Sequence, residues 1–146
     1  MSDHSIQPTH TCFDDSIDLM CRILRNLANW EATDFLELRG NLRLAHGLVG
    51  GVENPSAHAW VERADWNMVF FVGLLDGKRT DFVTTRDAFY EGYKVIDATY
   101  YDYLQVQQEN KQHQSFGPWT DEYRSKCGRD TSVSFSAALP IALLEF

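Results

Sequence analysis

Hydrophobic and polar positions repeat along this chain with two different periods, and the switch between them separates one helix from a run of strands. From Cys12 to Asn29 the apolar residues Phe13, Ile17, Met20, Cys21, Leu24, Leu27 and Ala28 recur at three and four, which predicts an amphipathic helix with one buried face. Thr11 stands where it caps such a helix, and Asp14 and Asp15 supply the negative charge that its first turn favours. From Leu42 onward the period is two. Leu42, Leu44, His46 and Leu48 share one face of a strand that the Gly50-Gly51 pair ends. Asn54-Pro55 turns the chain into a second strand, with Ala57, Ala59, Val61 and Arg63 on one side and His58, Trp60 and Glu62 on the other. After a turn at Ala64 to Asn67, the nearly unbroken apolar run Met68 to Leu75 suits a strand buried on both faces. Asp76-Gly77 is a hairpin turn that returns Lys78 to Thr85 antiparallel to it.

Downstream, Thr84 is placed to cap a short helix through Phe89 and Tyr90, and Tyr93 to Thr99 reads as a further strand. The polar, glutamine-rich stretch from Tyr100 to Gln114 predicts a surface helix. Phe116-Gly117-Pro118-Trp119 is a turn, Thr120 opens a short helix through Lys126, and Thr131 to Ala137 alternates as a last strand. A helix followed by a run of strands defines an α+β class: an N-terminal helix packed on an antiparallel sheet. The length of 146 residues, with 44% hydrophobic and 13% aromatic residues, suffices for one core and one domain, 1–146, to which residues 1–10 add a loose leader.

Charge and cysteine usage narrow the partners. A net charge of −8 with no basic cluster argues against nucleic acid or an anionic membrane surface, and no apolar run is long enough to span a bilayer. The N-terminus lacks the apolar stretch of a signal peptide. Three cysteines without metal-like spacing fit a reducing, cytoplasmic setting and give no reason to expect a metal or cofactor; a site built from His10, Cys12, Cys21 and His58 would lack the usual ligand spacing. Oligomeric state is not legible.

Three residues combine into a chemistry. Cys12 lies at the mouth of the first helix, where a thiolate is stabilised, whereas Cys21 falls inside the apolar stripe as a core residue would. His58 opens the polar face of its strand, and Asp97 follows in Val95-Ile96-Asp97-Ala98-Thr99. Cysteine, histidine and acid in that order suggest a nucleophile, its base and the group that orients the base. Each has a plainer reading as well: a histidine on a strand is commonly a packed one, as His46 is expected to be, and an indole at Trp60 serves packing as readily as a site. Asp15 opposes ionisation of the thiol, and Asp76, the other acid considered, already has a role in the hairpin.

Thr-Cys-Phe-Asp-Asp-Ser at 11–16, Leu-Ala-His-Gly-Leu-Val at 44–49, His-Ala-Trp-Val-Glu at 58–62 and Val-Ile-Asp-Ala-Thr at 95–99 resemble the papain-like and transglutaminase-like cysteine enzymes, most of all their small bacterial and phage members. The resemblance covers about residues 11 to 103 and is strongest at the histidine. It implies a cysteine opening a helix, and a histidine and an acid on neighbouring strands of an antiparallel sheet. It further implies acyl transfer through a thioester on Cys12, with His58 as base, Asp97 orienting its ring and Trp60 beside the substrate. The acceptor is then water in a peptidase or deamidase, or an amine in a transglutaminase, and the substrate is a protein or peptide. Asp97 stands further from the histidine than the acid of that family does. The oxyanion donor that such enzymes often carry before the cysteine has Gln7 and His10 as its only counterparts, so the backbone N–H of Cys12 is the expected donor. The alternative is a member that has lost its chemistry and acts as a protein-binding or inhibitory module, such as a small phage or effector protein.

Overall fold

In the computed structural model, residues 5–8, 11–28, 40–127, 133–134 and 139–140 are described. The three-and-four spacing after Thr11 forms α1 (Cys12–Ala28), and its apolar stripe of Ile17, Met20, Ile23 and Leu24 lies against one face of a sheet. That sheet is antiparallel, so the architecture is α+β. Its central strands are β2 (Leu42–Val49), β3 (Ser56–Arg63), β4 (Met68–Leu75) and β5 (Lys78–Thr85), neighbours in that order. A 3-10 turn at Ala64–Trp66 joins β3 to β4, with Asn67 in the left-handed region behind it. Asp76 and Gly77 both have positive φ, as the expected hairpin turn requires.

Register assigns every side chain a face, because residues directly opposite each other in antiparallel strands point the same way. Leu44, Val61, Phe70 and Val83 are aligned across β2 to β5 and meet α1. Ala45, Trp60, Val69, Phe71 and Phe82 occupy the opposite face. There they are covered by α2 (Arg86–Gly92) through Phe89 and by Tyr93, the residue that caps it. The sheet is thus buried on both sides, which is why β4 reads as a continuous apolar run. Gly47 permits this closeness: a Cβ there would lie 2.5 Å from the Asp97 carbonyl oxygen and 2.5 Å from the Trp60 ring.

Several boundaries differ from those the sequence suggests. Thr85, not Thr84, caps α2, accepting from the Ala88 N–H at 3.2 Å, because Thr84 is turned to the buried side of β5. Tyr93 belongs to the end of α2, where its ring stacks on Phe89 at 4.6 Å, and Lys94 then adopts φ 52. The following strand therefore begins late, as β6 (Asp97–Tyr101), and pairs with β2. With Tyr100 and Tyr101 in β6, the next helix is α3 (Tyr103–His113), opened by a reciprocal capping box between Asp102 and Gln105. A cis Gly117-Pro118 bond lies before α4 (Asp121–Arg124). Within the expected loose leader 1–10, residues 5–8 are ordered as a strand, and the others lie outside the described residues. Ser5–Pro8 form β1, pairing with β4 at Leu74 and Gly73 and with β7 (Val133–Ser134), and Ile6 is buried. The remainder of the strand expected over 131–137 lies outside the described residues. A last short strand, β8 (Leu139–Pro140), pairs with β5.

Candidate active site

The sheet divides beside β3. Along its whole length β3 pairs with β2, but it pairs with β4 only over Val61–Arg63, and β1 takes up the same edge of β4 further along. From Ser56 to Trp60 the outer edge of β3 consequently has no strand beside it among the described residues. Two outward N–H groups on this edge are met by other parts of the chain. Ala57 donates to the Lys126 carbonyl at 3.0 Å, in the turn after α4, and Ala59 donates to the sulfur of Cys12. The chain reaches this point because β1 delivers it to the division and α1 begins there, so Cys12 is the first helical residue.

Burial governs the thiol. Cys12 packs with Phe13, Leu48, Ala57, Ala59 and Tyr123, and its pKa is pushed up to about 12 chiefly by desolvation. The neighbouring Cys127 thiol and the Asp15 carboxylate add to this, while the Ala59 and Cys12 N–H groups oppose it. The competition that the sequence leaves open between helix mouth and acid is thus decided by a third influence. Asp15 itself is well held: Arg79 lies 2.6 Å from its carboxylate and the Thr11 hydroxyl donates to it at 2.9 Å.

His58, the residue before Ala59, projects on the opposite face from Ala57 and Ala59. Its ring is buried, lies 5.8 Å from the Tyr93 ring and has its pKa lowered to about 4 by desolvation. The Tyr93 phenol is held above its ordinary range by burial first and by the Cys12 sulfur second. Tyr93 therefore packs beside His58 and feels the Cys12 sulfur electrostatically, a role its place in the sequence does not announce. Burial thus holds the thiol protonated and the imidazole neutral, and the Ala57 and Ala59 side chains that pack with Cys12 are on the other face of β3 from His58.

The third expected member is elsewhere. Asp97, exposed at the start of β6, is opposite Leu48 on the α1 face and accepts a hydrogen bond from the Tyr123 hydroxyl at 3.0 Å. His58 is opposite Gly47, and Gly47 is opposite Ala98, so Asp97 and His58 sit two strands apart with side chains on different faces. The fold does not bring them together. Trp60 is corrected too: at 0% exposure it has no surface for a substrate, packs on Phe89 at 5.0 Å and donates its N–H to Glu62 at 2.8 Å. Asp76 is an exposed turn residue, Gln7 lies on β1, and His10 is outside the described residues. Cys21 is half-buried against the α1 core. No group of three or more metal-ligating side chains occurs among the described residues.

Sequence reasoning passed over two neighbours of the thiol, Tyr123 and Cys127. Nothing in their local pattern marks them, since only the placement of α4 and of the turn after it brings them back to β3. His46 is a buried strand residue as expected, ringed by Phe13, Tyr101 and Trp119, with neither nitrogen hydrogen-bonded among the described residues. No helix among the described residues is long and apolar enough to cross a membrane. Comparison of the chain with protein-family models, with curated proteins and with solved structures finds no match.

Proposed function

We propose that this chain is a papain-like or transglutaminase-like cysteine enzyme that transfers or hydrolyses an acyl group, with Cys12 as nucleophile and His58 as base. The observation that carries the reading is the docking of the Cys12 sulfur, at the mouth of α1, on the backbone N–H of the residue that follows His58. His58 takes the thiol proton as the sulfur attacks an amide carbonyl, and the oxyanion develops beside the first N–H groups of α1. The C–N bond then breaks, the leaving amine takes the proton from His58, and the thioester passes to water or to a second amine. With Asp97 held by Tyr123, the pair acts as a dyad. A net charge of −8 favours encounter with neutral or basic protein and peptide substrates over nucleic acid. Three cysteines without metal-like spacing are the ground for a reducing, cytoplasmic setting.

The burial of both groups favours a second reading, a binding module that keeps the arrangement without turnover. A peptide carrying a vinyl sulfone, which reports on a sulfur assisted by a base, separates the two. The enzyme is labelled at Cys12, and His58→Ala slows that labelling by about tenfold or more at pH 7. Labelling confined to Cys21 and Cys127 would establish the binding module instead.

A further inference from the structure

A second cysteine comes to the edge of β3 at which Cys12 is docked. The Lys126 carbonyl accepts from Ala57 on the same strand-free edge of β3 at which Ala59 meets Cys12, and the next residue is Cys127. The Cys127 thiol donates to the Tyr123 carbonyl at 3.5 Å, and the Tyr123 side chain packs with Cys12, Ala57 and Ala59. The turn after α4 thus brings one exposed cysteine to the edge where a buried one is docked. Cys21 lies nine residues further along α1, about 13 Å away by helical rise, and is outside this cluster.

We infer that Cys12 and Cys127 form a redox-active dithiol that a peroxide closes to an intramolecular disulfide and a thiol reductant reopens. This goes beyond the catalytic reading and does not depend on it. Cys127 is the exposed partner, so its thiolate attacks the peroxide oxygen. The O–O bond breaks, a sulfenic acid forms on Cys127, and the leaving hydroxide is protonated to water. The Cys12 sulfur then attacks the Cys127 sulfur, the S–O bond breaks, and the departing hydroxide takes up the Cys12 proton as a second water. In sum, two thiols and one hydrogen peroxide give one disulfide and two waters. A dithiol such as thioredoxin or dithiothreitol reverses the step by exchange. In the cytoplasm such a bond is transient, and while it lasts the proposed nucleophile is blocked.

The full reduced chain, exposed to hydrogen peroxide and then alkylated with N-ethylmaleimide, provides the test. The expected product is a monomer lighter by two hydrogens before alkylation, with one maleimide at Cys21 and a cross-link between the peptides of Cys12 and Cys127. Cys12 and Cys21 share the tryptic peptide that ends at Arg22, so Cys21→Ser confirms the assignment by giving the same cross-link with no maleimide. Cys127→Ser should abolish the cross-link. Oxidation of Cys127 with Cys12 left alkylatable, a bond to Cys21, or a bond between two chains each overturns the proposal. Peptide turnover, measured separately, distinguishes it from the catalytic reading. A cross-link in a chain that is inactive when reduced defeats only the enzyme, and activity without a cross-link defeats only the dithiol.

Discussion

Two histidines held neutral by burial give this protein an acid sensitivity that its carboxylates do not explain. His46, in its aromatic surround, has its pKa lowered to about 3, and His58 to about 4, both by desolvation from an ordinary value of 6.5. A lowered folded value means that the unfolded chain binds these protons first, so the stabilisation is complete above pH 6.5 and is lost as pH falls toward 4. Over that window each histidine contributes a slope of about 1.4 kcal/mol per pH unit. His46→Leu should remove one of the two slopes, so that urea midpoints measured from pH 7 to pH 4.5 fall less steeply than those of the parent. An identical slope in the variant would show that His46 is already protonated or solvated in the folded chain. His46 needs Gly117 above it, because a Cβ at that position would lie 2.7 Å from the imidazole Cε1.

At the scale of elements, local chemistry made some features legible and tertiary pairing hid the rest. The bounds of β2, β4 and β5 follow from alternation and from Asp76-Gly77, signals contained within a few residues. β1 was hidden because a four-residue segment carries no period of its own and becomes a strand only through β4 and β7. Tyr93 alternates with Val95 and Asp97 in sequence, yet stacking on Phe89 draws it to the helix instead. The same division applies to the site. Cys12 at a helix mouth and His58 on a strand can be read directly, but which face each residue meets depends on register and on the division of the sheet, and Asp97 could not be placed without both. The importance of β1 is measurable. Ile6, 2% exposed in the cluster that holds Trp60 and Phe89, should lose about 2–4 kcal/mol on substitution by alanine, read from the denaturant midpoint at constant m-value. A change below about 0.5 kcal/mol would mean that the segment is not packed on the core.

Across the whole molecule, one buried carboxylate ties together elements distant in sequence. Glu62 of β3, 1% exposed, accepts from the Trp60 indole at 2.8 Å, from Arg43 of β2 at 3.0 Å, from Arg86 of α2 at 3.1 Å and from the Tyr90 hydroxyl. Arg86 also donates to the Tyr100 hydroxyl of β6 at 3.0 Å, and Arg43 lies 4.1 Å over the Tyr100 ring. Such a network rigidifies the face that it joins, and breaking it is costly at its buried end, where the Trp60 indole is removed from water and would be left without an acceptor. Glu62→Gln keeps the shape and replaces one acceptor oxygen by an amide donor, which must then face Trp60 and Tyr90 or the two arginines. The expected loss is about 1–3 kcal/mol, seen as a lower urea midpoint. Its second consequence reaches the candidate site, because Tyr93, which caps α2, packs against the His58 ring at 5.8 Å. Loosening α2 uncovers the His58 ring that Tyr93 packs against, so diethyl pyrocarbonate should modify His58 faster in Glu62→Gln than in the parent while both remain folded. A variant that loses stability with no change in His58 modification would show that α2 is anchored to the site through Phe89 and the core rather than through Glu62.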